Sequence, residues 1–301
     1  MHLTTKAKPP ASVRLHEHLA RIGYQRGLIF RALADDVIGL AVPLRITEAE
    51  AVELLTSWRS AMRLTDFKVL TFDCYGTLID WESGMIAALK PLTDRVQKPL
   101  SRNAILEAHA RHESTQQRFT PTKIYRDLLP VVYKRLADEW GVAVGWEECV
   151  AYGRSVGDWP AFADSAGALQ YLKKHYKLVI LSNVDNQSFS SSNERLQVTF
   201  DAIYTAEDIG AYKPDPRNFD YMVIKLATLG VKPPEILHTA ESMFHDHGPA
   251  NAAGLASAWI YRRYADKGFG ATMNPGAMPK YSFKFTSMAD MVEAHQEQLC
   301  A

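Results

Sequence analysis

The chain has 301 residues, 47% of them hydrophobic and 10% aromatic, enough to bury the cores of about two compact units. Lys plus Arg (34) equals Asp plus Glu (34), so no global field draws nucleic acid or an anionic membrane, and a small molecule is the expected partner. Cys74, Cys149 and Cys300 lack paired spacing, which argues against a disulfide framework or zinc site and for a cytoplasmic setting, and no apolar run approaches the roughly 18 residues of a membrane span.

Residues 1–61 stand apart as an N-terminal extension, expected to be helical or partly disordered and to have no part in the chemistry. From Met1 to Arg31 there are six Lys or Arg (Lys6, Lys8, Arg14, Arg21, Arg26, Arg31) against one acid, Glu17, with helix-compatible spacing from Leu15 to Leu33. That basic bias resembles a targeting presequence, but the acidic stretch from Thr47 to Leu55 reads instead as a capped helix.

Beyond it, short apolar or β-branched runs recur at Val69 to Phe72, Leu178 to Leu181, Ala202 to Tyr204, Ile236 to Thr239 and Ser257 to Ile260, separated by helix-length segments. The alternation predicts an α/β fold, a doubly wound parallel sheet with helices on both faces. Between the first two runs lies an insertion at helical period (Met85 to Leu92, Ile105 to Gln117, Ile124 to Trp140, Trp146 to Val156), too long for a crossover and expected to be a helical cap. Gly157-Asp158-Trp159-Pro160 reads as the return hinge, because the residue before proline is pushed toward extended geometry. The expected division is therefore an α/β core of residues 62–82 and 159–301 and a cap of residues 83–158. The Gly/Pro-bearing loop Gly268 to Pro279 is expected at the surface, and His247 is expected to begin the helix that includes Pro249 to Leu255.

Polar residues fall at the carboxyl ends of the predicted strands, where open parallel sheets bind their ligands. They are Asp73 with Tyr75 and Thr77, then Ser182-Asn183, then Lys213 in Tyr-Lys-Pro-Asp-Pro, then Glu241 to Asp246. Asp73 is ionised at neutral pH by its reference pKa of about 3.9 and can attack carbon or phosphorus without a base; a nearby Lys213 is expected to lower that pKa further. Thr77, Ser182 and Asn183 supply groups that orient the attacking oxygen and an anionic substrate group. Cys74 is expected to be a small side chain packed behind the loop. The cluster His245-Asp246-His247 lacks a third ligand at metal spacing, so no metal is assigned to it.

The four segments, in this order, resemble the motifs of the haloacid dehalogenase-like hydrolases, over roughly residues 66 to 265. Phosphatases of that superfamily carry an Asp at the position of Tyr75 to protonate the departing alcohol, a task poorly matched to a phenol of pKa near 10. A halide needs no proton. Asp-Cys-Tyr-Gly-Thr-Leu is similar to the opening motif of type II, L-2-haloacid, dehalogenases. The resemblance implies a hydrolase in which Asp73 displaces halide from a short (S)-2-haloacid with inversion, and water then cleaves the aspartyl ester to give the 2-hydroxy acid. Catalytic roles then fall to Asp73, Thr77, Lys213 and Asp246, and substrate contacts to Tyr75, Ser182, Asn183 and a cap arginine, for which Arg111 is the leading candidate and Arg118 or Arg126 the alternatives. No cofactor is expected, and a homodimer is implied. Trp81 is a candidate for the apolar wall.

Departures sharpen two alternatives. Where type II dehalogenases show Ser, Asn and Asp in the fourth motif this chain has Glu241, Met243 and Asp246, and Phe219 stands where a Tyr is usual. The spacing of Glu241 and Asp246 also reproduces the two acids with which phosphatases of the superfamily hold Mg²⁺, so a Mg²⁺-dependent phosphatase or phosphonate hydrolase is the alternative enzyme. A non-catalytic binding protein on the same fold is the alternative of another class.

Overall fold

The computed structural model describes residues 62–300 and, before them, two short strands, β1 (Ile29–Ala32) and β2 (Ile38–Ala41), which pair antiparallel. Residues 67–292 form one compact unit and the flanking segments another. Residues 29–32, at the end of the stretch expected to be helical, are strand, whereas the rest of that stretch and the helix expected from Thr47 to Leu55 lie outside the described residues.

In the main unit a parallel sheet has the order β5-β4-β3-β6-β7-β8. Its strands are β3 (Val69–Phe72), β4 (Lys177–Ser182), β5 (Ala202–Thr205), β6 (Ile236–Ala240), β7 (Ala256–Ile260) and β8 (Phe283–Phe285). All four residues of β3 and all five of β6 are buried, Thr71, His238 and Thr239 included, as strands covered on both faces are. The order reverses beside β3: the chain builds outward to β5, then returns to place β6 on the other flank. That is the doubly wound pattern, with its ligand crevice at the switch between β3 and β6. Register makes the crevice specific. Phe72 is level with both Ile180 and Thr239, so Asp73 leaves β3 within a residue or two of where Ser182 ends β4 and Glu241 follows β6.

One strand was not expected. β8 is three residues long and follows the long Gly/Pro loop, yet Phe283 and Phe285 are both buried and β8 pairs with β7 through Ala258, Trp259 and Ile260. Below the sheet, α8 (Arg217–Thr228) turns Phe219, Met222 and Leu226 onto Val69, Val179, Leu181 and Ile236. That spacing is one helical face.

Between β3 and β4 run α1 (Trp81–Thr93), α2 (Arg102–Phe119), α3 (Tyr125–Glu139) and α4 (Trp146–Arg154). Asp80 and Ser101 start the first two by accepting hydrogen bonds from Ser83 N and Ala104 N. The return segment makes a 3₁₀ turn over Ser155–Asp158, after which Trp159 is extended, as the residue before Pro160 requires. The Trp159 ring lies against Gly84, where a Cβ would stand 2.4 Å from it, so α1 and the return segment meet without a side chain between them. Further on, α5 (Ser165–Leu172) and α6 (Asn186–Leu196) flank β4, and the short α7 (Ala206–Ile209) follows β5. His247 closes a π-helical turn, Met243–His247, before the short α9 (Gly248–Ala252), and α10 (Met288–Cys300) follows β8. Among the described residues no helix is long and apolar enough to cross a membrane.

The loop expected at the surface is exposed at Gly268, Asn274 and Gly276 to Met278 but dips inward between them. Ala271 and Thr272 are buried, and Ala271 N donates to Glu82 Oε1 at 3.0 Å. Glu82 also accepts from Arg263 and, at 3.2 Å, from Arg102, so one buried carboxylate at the start of α1 fastens the loop. A run rich in Gly and Pro thus gained a charged anchor from far along the chain.

Close approach of α3 and α4 gives a direct test of this packing. A Cβ on Gly153 would lie 2.2 Å from the Arg126 carbonyl oxygen and 2.9 Å from Pro130. Gly153→Ala should therefore destabilise by about 1–3 kcal/mol through overpacking, despite the better helix propensity of alanine, as read by a fall in thermal midpoint.

Candidate active site

Asp73 sits one residue beyond β3 and is only 6% exposed. Its backbone N–H donates to Thr239 O, which ties the strand end to β6. The chain then turns sharply, with Leu78 N and Ile79 N both donating to Cys74 O and Gly76 at φ +97°, in the left-handed region that favours glycine. The Trp81 indole packs on that glycine. Cys74 itself is buried, and burial pushes its thiol well up, as suits a packing residue.

Thr77 has two bonds that explain its place. Its hydroxyl donates to Asp73 Oδ2 at 2.8 Å and accepts from Glu241 N at 2.9 Å, joining the loops after β3 and β6. Its carbonyl takes two bonds from the Arg262 guanidinium, which stacks over Phe162 and pairs with Asp164.

Lys213 is the centre of the cluster. Its ammonium, 1% exposed, donates to Asp73 Oδ1 at 2.9 Å, to Asp246 Oδ1 at 2.6 Å and to Leu181 O at 2.9 Å. All three of its protons are used. The backbone around it is clamped by Asn183, whose Oδ1 accepts from Lys213 N at 2.6 Å and whose Nδ2 donates to Lys213 O at 3.0 Å. Behind Asp246 stands His238 on β6, with Nε2 at 3.0 Å from Asp246 Oδ1 and Nδ1 at 2.9 Å from Thr71 Oγ1.

One ammonium cannot neutralise two buried carboxylates equally. Burial alone would raise Asp246, yet Lys213 and then His238 hold it well below the ordinary carboxylate range. Burial likewise opposes the charge on Lys213, but Asp246 and Asp73 hold the ammonium above its ordinary value. For Asp73 burial wins, aided by the charge on Asp246, and the carboxyl lies above its ordinary value although Lys213 and Thr77 pull it down. Lys213 does pull the Asp73 pKa down, as expected, but burial outweighs it and the net shift is upward; the lysine lies nearer Asp246.

The cleft above this cluster is lined by Asp73, Tyr75, Trp81, Ser182, Asn183, Lys213 and Asp246, among others. It brings together every site residue expected from sequence except two, Thr77 and Arg111. Thr77 acts just behind Asp73. Arg111 does not reach the site: its side chain is 54% exposed and pairs with Glu139 at 2.7 Å, alongside His112. Neither alternative arginine lines the cleft. Asn183 lines it too; its amide bonds the backbone N–H and C=O of Lys213, which leaves the second Nδ2 hydrogen uncommitted. Ser182 Oγ and Asp246 Oδ2 are buried without a partner.

Six lining residues were not singled out from sequence as site groups: Glu113, Gln117, Tyr125, Val184, Ser242 and Thr272. The first was legible in principle. Ile105, His109, Glu113 and Gln117 are all buried at four-residue spacing on α2, so a helix that buries Ile105 turns Glu113 inward and Arg111 outward. Burial pushes Glu113 up to about 7. His245, read only for a metal cluster, also lines the cleft, bonded to Ser242 Oγ, and burial pushes it down to about 4. His247 points elsewhere, to Ser257 Oγ and Ala240 O.

Tyr75 lines the wall with its phenol turned away from proton transfer. Its hydroxyl lies 2.7 Å from Ser192 Oγ, its ring meets Trp159 edge-on, and burial pushes its pKa well above the ordinary value. Glu241 is half-buried with no side-chain bond, and burial, with the charges of Glu82 and Asp73, pushes it up to about 8.

These strand-end motifs on a doubly wound sheet define a class of hydrolase, and the comparisons agree. A family model for haloacid dehalogenase-like hydrolases matches residues 67–258, and the chain belongs to that family. Among solved structures it is similar to the L-2-haloacid dehalogenase PA0810, with 21% identity over 78% of this chain and 100% of the other and a TM-score of 0.61. It is similar also to the L-2-haloacid dehalogenase of Xanthobacter autotrophicus with chloropropionic acid covalently bound (18% identity, 76% and 98% covered, TM-score 0.60). A putative hydrolase of this superfamily from Bacillus subtilis, YfnB, bound to magnesium, matches at 18% identity with 78% and 100% covered and a TM-score of 0.59. At these identities the likeness shows the fold. No curated protein matches the chain.

Two stability outcomes follow from the charges. Lys213→Met leaves two buried carboxylates without their cation and should cost about 3–5 kcal/mol in denaturant unfolding near neutral pH. Glu241 resists ionisation when folded but ionises near its ordinary value when unfolded, so stability falls as pH rises from about 4.5 through about 8. Glu241→Gln should therefore raise the thermal midpoint at pH 9 and leave it unchanged at pH 4; an equal gain at both would refute this account.

Proposed function

We propose that the protein hydrolyses a carbon–halogen bond in a short 2-halocarboxylic acid, with Asp73 as nucleophile and an aspartyl ester as intermediate. The observation that carries this reading is Tyr75: the position that would protonate an alcohol holds a phenol bonded to Ser192 and shifted away from acidity, so a leaving group that departs as a stable anion suits the site. In the first step an Asp73 oxygen forms a bond to the carbon as the halogen leaves with the electron pair of its own bond. In the second, water adds to the Asp73 carbonyl carbon and the 2-hydroxy acid departs, regenerating a carboxylate that keeps one oxygen from water. Thr77 and Lys213 hold Asp73 in line. Asp246, with Oδ1 on Lys213 and Oδ2 without a partner, is suited to orient the water. Ser182 offers its free hydroxyl to the substrate carboxylate, and Tyr75 and Trp81 supply apolar wall.

The same reading takes residues 83–158 as a cap over the core and the active species as a homodimer working in the cytoplasm without a cofactor. Light scattering of the purified protein measures the second of these.

A Mg²⁺-dependent phosphatase is the second reading, favoured by the unbonded carboxyl of Glu241 and the free Asp246 Oδ2. Among the described residues no three His, Cys, Asp or Glu side chains converge, so any such ion would rest on Asp73 and Asp246 with water or backbone oxygens, and no step is routed through it.

The experiment is halide release from (S)-2-chloropropionate, and phosphate release from p-nitrophenyl phosphate, each with Mg²⁺ or EDTA. Halide release that persists in EDTA and is abolished by Asp73→Asn is expected, with ¹⁸O from labelled water appearing in Asp73 after one turnover. Mg²⁺-dependent phosphate release without halide release would overturn the proposal. Because Asp73 must be ionised to attack and burial raises its pKa, kcat/KM should fall with decreasing pH along a limb that lies above the ordinary carboxylate range of about 3.9.

A further inference from the structure

The reaction proposed above needs something to meet the departing halide, and no guanidinium lines the cleft. The ammonium of Lys213 is fully engaged by Asp73, Asp246 and Leu181. What α2 turns toward Asp73 is a carboxyl group, Glu113, 5% exposed, beside Gln117 and Tyr125.

Its bonding favours one oxygen as the seat of a proton. Oε1 accepts from Tyr125 Oη at 2.7 Å and from Gln117 Nε2 at 3.3 Å, which uses both lone pairs. Oε2 makes no hydrogen bond; its nearest basic neighbour, His109 Nδ1, is 3.6 Å away, beyond bonding range. A proton on Oε2 leaves both Oε1 bonds intact, so Oε2 is the oxygen placed to carry it. We propose that Glu113, as a neutral acid, donates its Oε2 hydrogen to the halide as the carbon–halogen bond breaks, taking the place of the cap arginine. The carbon–oxygen bond to Asp73 forms as the halogen leaves with its electron pair, and the hydrogen remains on Glu113, so no proton need be transferred.

Burial supports the neutral form by pushing Glu113 up to about 7, and His109, held down to about 3 by burial, adds no positive charge. The groups facing Glu113 are His109 and Gln117 from its own helix, Tyr125 from α3, Tyr152 from α4 through its 2.8 Å bond to His109, Tyr212 before Lys213, and, across the cleft, Asp73, Lys213, His245 and Asp246. None but Lys213 is a cation near neutral pH, and Lys213 is already shared. Ionised Glu113 would repel both the halide and the substrate carboxylate, so turnover falls as pH rises through about 7.

The test uses the full chain as wild type, E113Q, E113A and D73N, with (S)-2-fluoro-, 2-chloro- and 2-bromopropionate, halide being measured across about pH 5.5 to 8.5. Fluoride accepts hydrogen bonds most strongly and bromide least. E113A should lower kcat about tenfold or more for fluoride and progressively less for chloride and bromide. The wild-type basic limb should be missing from E113Q, whose amide still donates a hydrogen and keeps kcat within about threefold at pH 6. An equal loss for all three halides, an unchanged E113A, or a limb that survives in E113Q would overturn the inference while leaving the proposed reaction standing. If E113A does not fold, E113Q decides through its pH profile. Halide release that is absent, or undiminished in D73N, defeats the proposed reaction itself and this inference with it.

Discussion

One ammonium group held between two buried carboxylates governs this molecule. Lys213 lies between Asp73 and Asp246, and attraction at such distances in a poorly solvated interior is strong only because no water competes. The surroundings serve to keep that arrangement: Asn183 clamps the lysine backbone, His238 braces Asp246, and Thr77 restrains the far oxygen of Asp73. With the cation closer to Asp246, the carboxylate at the end of β3 is the less compensated of the two. A carboxylate left short of countercharge is the better nucleophile, which is the use proposed for it here.

The sheet and its crevice could be read from sequence because parallel strands buried on both faces are short runs rich in apolar and β-branched residues, and all five runs identified fall on strands. β8 escaped because three residues with two alternating phenylalanines carry too little signal after a long loop. The burial of Ala271 and Thr272 escaped for a different reason: it depends on Glu82 and Arg263, residues 181 apart in sequence, and no local pattern announces such a pair. Within the site, the groups adjoining strand ends were legible, since their positions follow from the fold. Arg111 was misplaced because charge, not helical phase, guided the choice; the phase of the buried residues on α2 selects Glu113.

The cleft differs in electrical character from what the family resemblance implied. Instead of an arginine it has an acid, Glu113, that burial raises to about 7, and a histidine, His245, that burial keeps uncharged. Neutral donors can stabilise an anion without drawing it in from solution, whereas a free cation does both. Such a site favours interactions made at close range, after water has left, over long-range attraction of the substrate.

The Asn183 clamp has a consequence for how the loop bearing the lysine is seated. Because the side-chain amide of a residue just past β4 substitutes for a strand partner, pairing with both the N–H and the C=O of Lys213, the loop is indexed to the sheet as though it were an extra rung. The position of the positive charge is thereby inherited from the rigid scaffold and not from the loop's own conformation. A guest in the cleft can call on the second Nδ2 hydrogen of Asn183 and on the neighbouring Ser182 hydroxyl, but one that broke the clamp would unseat the cation.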